Sequence, residues 1–461
     1  MRSALVASLS CLACIACEDS IVIEPAPGQV VLHFDTDAPV PTPTGAVTVD
    51  EAGPLFDRMR VEVFEPGRDQ PCAGCTNDFA LDTALFAERR ASIGIAPKPN
   101  VAGYRVRVRI YNAAFVTREG NALPEATIES TIALPVVDVH GRIDASVTLF
   151  VDAVGVPNGS LTEPVNPELG PIAASLVGTW AGAARVPCES APRPGEVCVP
   201  GGAFWMGETS TPTSIIPLHG GHHPKLVIIS PFFLDATEVT VRSFRESKLR
   251  SIPWSKSDTG ESILDFCNTS PEEGPRDDHP ANCVAWREAR AYCVQKKKDL
   301  PTESQYEYVA GGTRGARYVW GQDSPQCNEA MFSRLGHGVF ARSTAICRTP
   351  TPPGGSAPVG TATRDRLELP TGTIVDLAGN VAEWTIDYWN EDDQGCWAKR
   401  GVYIDPVCRS PSKEDSTLRT VRGGSWLVTS GQLVRTQRVG AAGSPVYSSP
   451  DLGFRCARPG R

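Results

Sequence analysis

At 461 residues, 41% apolar and 21% charged, the chain exceeds one ordinary domain and has material for two or three packed cores. Its formal net charge of -9, with Lys296-Lys297-Lys298 as the one short basic run, argues against a nucleic-acid partner, because neutralising phosphates needs clustered Lys and Arg. The 42 glycines and 40 prolines call for many turns and long ordered loops in a globular chain.

The first seventeen residues read as an export signal: Arg2 supplies the positive start, and Ala4 to Cys17 carries no charge yet is too short to span a bilayer. Cys14-Ile15-Ala16-Cys17 resembles a bacterial lipobox, with Cys14 where a leucine is usual, so Cys17 is the candidate lipidation site; an ordinary cleaved signal is the alternative. On the first reading the protein is an outer-membrane or cell-surface lipoprotein of the bacterial envelope, touching the membrane through its lipid anchor only. Of fifteen cysteines, Cys11 and Cys14 leave with the signal and Cys17 takes the lipid, and the even number that remains in an oxidising compartment predicts six disulfides.

Residues 18–155 alternate with a period of two. Met59, Val61 and Val63 alternate with Arg58, Arg60 and Glu62; Val106, Val108 and Ile110 with Arg105, Arg107 and Arg109; and Ile143, Ala145, Val147, Leu149 and Val151 continue the pattern. Each strand then has one wet and one buried face, which predicts an antiparallel β-sandwich of immunoglobulin-like size. Cys72-Ala-Gly-Cys75 suits a local disulfide, with half a zinc site or a redox pair as alternatives. Residues 156–195, rich in Pro, Gly and Ala, read as a linker, ordered in part around Trp180.

Residues 196–461 form the second domain. Val199 to Gly207, Lys225 to Ile229 and Phe232 to Leu234 are short apolar strands, and Thr240 caps a short helix whose apolar face is Val241 and Phe244. Trp286, Ala289 and Cys293 fall at helical spacing, and Thr302-Glu-Ser-Gln305 is a capping box that starts the next helix, with Tyr306, Val309 and Ala310 buried. After Gly311 turns and short strands dominate without a βαβ rhythm, which makes the domain α+β and rich in irregular structure. The phrase Arg422-Gly-Gly-Ser-Trp426 stands out, with Arg422, Arg435 and Arg438 bracketing a segment of glycines and apolar anchors whose guanidiniums need carboxylate or carbonyl partners.

Val199 to Gly207, Glu238-Val-Thr240, Cys283 to Cys293, Leu300 to Glu303, Val319-Trp-Gly321, Asp376 to Trp384, Arg422 to Trp426 and Gly453-Phe-Arg455 together resemble the sulfatase-modifying-factor family, the formylglycine-generating-enzyme domain. The resemblance implies a C-type-lectin-like fold for residues 196–461, preceded by the all-β sandwich. Active members oxidise a substrate cysteine to formylglycine with two cysteines that bind copper, since soft thiolates suit Cu(I). Those positions fall on Val428 and Leu433, and the tryptophan usual before the Glu-Trp pair is replaced by Ala382, although Ser425 is kept. Copper chemistry and formylglycine generation are therefore not expected.

Relatives of the fold that use iron need two His and a carboxylate. The group His219-Gly-Gly-His222-His223 is read as a solvent-facing turn, with a metal site as the alternative, and His279 and His337 as structural. The resemblance implies structural calcium on side-chain oxygens of Asp376 and Glu383 and carbonyls of Gly379 and Val381; the alternative pairs those carboxylates with Arg422 or Arg435. It also implies a second calcium at Asn328 and the Glu329 carbonyl, where a later acidic partner is missing, and a disulfide between Cys293 and Cys456. Proximity in sequence pairs Cys72 with Cys75, Cys188 with Cys198, Cys267 with Cys283, Cys327 with Cys347, and Cys396 with Cys408. The expected function is a non-catalytic binding or structural module with a protein, peptide or glycan ligand. The alternatives are a divergent formylglycine-generating or non-haem iron oxidase acting on a protein or peptide, and a carbohydrate-binding surface protein.

Overall fold

A computed structural model describes residues 28–43, 53–208, 222–250, 266–334, 347, 355–411, 413, 416–442 and 448–461. The signal segment with Cys17, and His219 and His337, lie outside the described residues.

The alternation in the N-terminal half produces two four-stranded sheets. One orders Ser92–Ile95, Gln29–Thr36, Arg142–Leu149 and Glu168–Leu169, and the other Thr76–Ala80, Arg58–Phe64, Arg105–Tyr111 and Thr127–Ala133. Val106, Val108 and Ile110 face the core, while Arg109 on the outer face pairs with Glu62 and Glu129 of the neighbouring strands at 3.2 and 2.7 Å. The sandwich is not antiparallel throughout as expected: Gln29–Thr36 runs parallel to Arg142–Leu149 along its whole length. A parallel pair needs a long crossover, and the chain between these strands supplies one by building the second sheet.

This core does not stop at the linker. Trp180, Ala183, Ala203, Trp205 and Leu226 join the buried cluster of the sandwich. Trp205 meets Phe56 and Phe115 edge-on at 5.6 and 5.1 Å, and its indole N–H donates to the Leu55 carbonyl at 2.8 Å, which satisfies the one polar atom of the ring.

The C-terminal half is built from small sheets, few helices and long loops, which gives the mixed α+β class. Its helices start where the caps predict: Thr240 accepts from the Ser243 amide ahead of Val241–Glu246, and Thr302 and Gln305 form the capping box of Glu303–Ala310. The helix Trp286–Gln295 carries Cys293, whose disulfide to Cys456 ties it to the end of the chain. The other five bonds join Cys72 with Cys75, Cys188 with Cys198, Cys267 with Cys283, Cys327 with Cys347, and Cys396 with Cys408. At the centre, a four-stranded sheet orders Arg438–Ala442, Leu418–Arg422, Ala382–Tyr388 and Leu452–Gly453, and packs against the helix Glu303–Ala310. Among the described residues no helix is long and apolar enough to cross a membrane.

Candidate functional site

The segment that follows strand Leu418–Arg422 is shaped by close approach. Gly423 has φ +78°, and a Cβ there would lie 2.6 Å from the Tyr306 hydroxyl, while a Cβ on Gly424 would lie 2.6 Å from Leu433 Cδ2. Ser425 is buried and donates to Asp451 Oδ2 at 3.0 Å, so its hydroxyl is committed. Leu433 is buried among Tyr318, Ala330, Phe332, Ala378 and Val434, half-buried Val428 packs on the same cluster, and Ala382 packs on a different one. Apolar packing thus fills the two positions where the resemblance places thiolates. The twelve cysteines of the described residues are all in disulfides, so none of them offers a thiolate.

The alternative that pairs Arg422 or Arg435 with Asp376 and Glu383 does not hold, and the three arginines turn to one helix instead. Arg422 reaches Glu303 at 2.8 Å and Glu307 at 2.9 Å, Arg435 pairs with Glu307, and Arg438 Nε sits 2.5 Å from Glu303 while its guanidinium stacks on Trp389. The cause is the helix Glu303–Ala310, which turns Glu303, Tyr306, Glu307 and Ala310 to one buried face. That spacing was readable in the sequence, because two glutamates fall at i and i+4 on the face that also carries Tyr306.

His222 is likewise not in a solvent-facing turn. It is fully buried, 4.5 Å from the Trp397 ring, with Nδ1 3.0 Å from Asp392 and Nε2 3.3 Å from Glu303. Both ring nitrogens thus already face a carboxylate at hydrogen-bond distance. Burial alone would raise Glu303, but Arg438, Arg422 and His222 hold it well below the usual carboxylate range. Asp392 is also held low against burial, by His222 and Lys225. Asp387 goes the other way: burial and the nearby Glu303 charge push it to about 7. One group of potential ligand atoms among the described residues, His223, Asp392 and Asp393, lies mutually within 4.8 Å. The Lys225 ammonium already sits 3.0 Å from both aspartates, where a cation would go.

The second charge cluster surrounds Arg455. Its guanidinium binds Glu383 at 2.7 to 2.9 Å and the carbonyls of Val375 and Asp376 at 2.9 Å. Tyr306 adds a bond to Glu383 Oε1, which leaves Oε2 with Arg455 Nε as its one donor among the described residues. Glu238 accepts from the Val381 amide and the Asn380 side chain, and Asp365 accepts from the amides of Leu377, Ala378 and Gly379. Asp376, at φ +55°, accepts from the Gly360 amide through Oδ2, while its Oδ1 is buried without a partner. Four buried carboxylates thus share one guanidinium. Burial raises all four, pushing Asp365 to about 6, and repulsion from neighbouring carboxylates of the group adds to it for Asp376, pushed to about 7, and for Glu238, raised well above its usual range.

An orphaned carboxylate oxygen in a cluster with excess negative charge fits a hard divalent cation, so the donor set around Asp376 and Glu383 suits calcium chemically. Glu238 and Asp365 were not singled out as contributors, and no spacing pattern links them to Asp376. The second implied site fares differently. Asn328 is exposed, and the Glu329 carbonyl already accepts from the amides of Arg364 and Asp365 at 3.1 and 2.9 Å, which uses both lone pairs.

Comparison with known proteins places the C-terminal part of the chain in a family. Formylglycine-generating enzyme from Thermomonospora curvata is 29% identical over 57% of this chain and 93% of its own length. Inactive C-alpha-formylglycine-generating enzyme 2 from Bos taurus is 28% identical over 57% of this chain and 87% of its own. Among solved structures, PvdO from Pseudomonas aeruginosa aligns over 58% of this chain and all of its own, with 20% identity and a TM-score of 0.40. The sulfatase-modifying factor enzyme 1-like domain matches residues 183–459, and the chain belongs to that family.

Proposed function

We propose that this chain is an exported, lipid-anchored envelope protein whose C-terminal domain is a non-catalytic binding or structural module that retains a structural calcium. The observation that carries the non-catalytic reading is Leu433, buried in one apolar cluster on which half-buried Val428 also packs, at the two positions where the family's copper chemistry needs thiolates. Every cysteine of the described residues is tied up in a disulfide, so no displaced pair among them supplies the ligands. The family resemblance is compatible with either outcome, since its named relatives include both enzymes and an inactive paralogue. Six disulfides support an oxidising compartment, which agrees with export through the Arg2 to Cys17 signal.

Calcium would be held by Asp376 and Glu383 with the carbonyls of Gly379 and Val381, and would neutralise the carboxylates that Arg455 leaves uncompensated. Its contribution there is structural. It fixes the loop that enters strand Ala382–Tyr388.

The test is to load the full mature protein with Cu(I) anaerobically, admit oxygen with a Cys-containing peptide, and trap aldehyde. No aldehyde and no stoichiometric copper are expected. Aldehyde formed at a rate proportional to protein overturns the reading. Metal analysis of the purified protein should find calcium.

A further inference from the structure

The sandwich and the C-terminal domain enclose a cavity of about 400 Å³ between them, a size within the usual range for small-ligand sites, which favour domain junctions. Leu55 and Phe115 of the sandwich and Trp205 and Val434 of the C-terminal domain form its apolar wall. Arg314 and Arg317, both exposed, stand on the rim from the loop that follows the helix Glu303–Ala310. The two differ from the buried arginines beside them. Arg435 also lines the cavity, but its guanidinium is spent on Glu307 and the carbonyls of Gly207 and Gly315. Among the described residues the Arg317 side chain makes a ring contact, 5.6 Å over Tyr318, and neither Arg314 nor Arg317 forms an ion pair.

From these observations we infer that the cavity binds a monoanionic carboxylate carrying an apolar group, with the carboxylate on Arg314 and Arg317 and the apolar group against Phe115, Trp205 and Val434. Guanidinium forks match a planar carboxylate in geometry and charge. A phosphate dianion is disfavoured by Glu208, the one carboxylate on the wall, whose Oε1 accepts from the Thr436 hydroxyl at 2.8 Å. A single negative charge meets less of that repulsion. The carboxylate can belong to a free small molecule or to the C-terminus of a peptide. The inference names a ligand class for the binding module proposed above, at a site to which the sandwich contributes part of the wall.

The experiment measures binding of three probes to the full mature protein by fluorescence anisotropy and calorimetry: N-acetyl-leucine, a labelled hexapeptide ending in leucine, and the same hexapeptide amidated at its C-terminus. At least one carboxylate probe should bind with Kd below about 1 mM, and the amidated peptide at least about tenfold more weakly, a difference of about 1.4 kcal/mol. Binding of both carboxylates points to a free ligand, and binding of the peptide alone to a chain terminus; either supports the site. The double variant R314Q/R317Q should reduce carboxylate binding to the level of the amide with an unchanged melting curve, while R90Q, at an exposed arginine of the sandwich, should not. Absence of binding by both carboxylates, equal binding of the amide, indifference to R314Q/R317Q, or stronger competition by inorganic phosphate would each overturn the inference. None of these results bears on the aldehyde assay, so the non-catalytic reading stands or falls separately.

Discussion

The helix Glu303–Ala310 touches two buried charge clusters that are balanced in opposite ways. Around Glu303 and Glu307, the cations Arg422, Arg435, Arg438 and Lys225 match the carboxylates Glu303, Glu307, Asp392 and Asp393, and Glu303 and Asp392 stay charged despite burial. Through Tyr306 the same helix reaches Glu383, where four carboxylates share Arg455 and all are pushed toward the neutral form. A buried charge is tolerable only when paired. The first cluster has its counter-charges within the chain, whereas the second holds more carboxylates than its one guanidinium can balance. The difference separates a structural crossing from the proposed calcium site although both use the same residue types.

The comparison is broken most directly at Glu303. Glu303→Gln leaves Arg422 and Arg438 buried with half their counter-charge, and removing one partner of a buried pair costs about 3–5 kcal/mol. Urea unfolding should show this loss equally in calcium and in EDTA, because the cluster needs no external ion. A loss below about 1 kcal/mol, or one that calcium restores, would mean that the two clusters are not independent.

Chelation addresses the second cluster alone. A ligand bound only to the folded state stabilises it by about 2.7 kcal/mol at a hundredfold excess over Kd. Thermal melts of the mature protein should therefore shift down by several degrees in EDTA and recover with calcium. An unchanged curve would leave the four carboxylates without the cation their crowding calls for.

The pH dependence in saturating calcium reads the first cluster, since bound metal keeps the carboxylates around Asp376 ionised. Asp387 is raised to about 7 from the ordinary aspartate value of about 3.8. The folded state then holds the extra proton, so stability is full below about 4 and is lost as pH rises through about 7. Roughly 2 kcal/mol should disappear between pH 5 and 7, against a ceiling of about 1.4 kcal/mol per pH unit for one proton. Glu303 and Asp392 have lowered values and contribute in the opposite sense, losing their share only at strongly acid pH. Asp387→Asn should flatten the slope between pH 5 and 7, and a slope unchanged by that substitution would move the titrating proton elsewhere.

Local signals carried the fold a long way. The capping box at Thr302, the alternation at Arg105–Tyr111 and the even cysteine count each encode their outcome within a few residues or by arithmetic, and all appear in the structure. The parallel pairing of Gln29–Thr36 with Arg142–Leu149 did not, because register between strands so far apart is set by tertiary packing. The charge partners were half legible. Glu303 and Glu307 share a helix face with Tyr306, so their burial follows from helical period, and three nearby arginines on one chain segment are natural partners. His222 follows a Gly-Gly pair that suggests a turn, and nothing local reveals Trp397 and Asp392, which fold over it from far along the chain. Asp365 and Glu238 converge on Asp376 only through the loop geometry of the finished domain.

Asp376→Asn has the smallest expected effect on the metal-free protein and gives the sharpest test of the second cluster. The residue sits at φ +55°, a conformation that asparagine tolerates about as well as aspartate, so the backbone is not strained by the change. The amide keeps an acceptor for the Gly360 N–H that Oδ2 now accepts. It removes one negative charge from a group of four that repel one another, so in EDTA the variant should lie within about 1 kcal/mol of the parent, and on the stable side where its neighbours are ionised. In calcium the order reverses, because the parent gains the metal's stabilisation and the variant has lost a carboxylate ligand. A crossing of the two stability values on adding calcium is the expected signature. If Asp376→Asn instead destabilises the chelated protein by several kcal/mol, Asp376 is a partner in an internal network like Glu303, and the two clusters do not differ in the way their charge counts indicate.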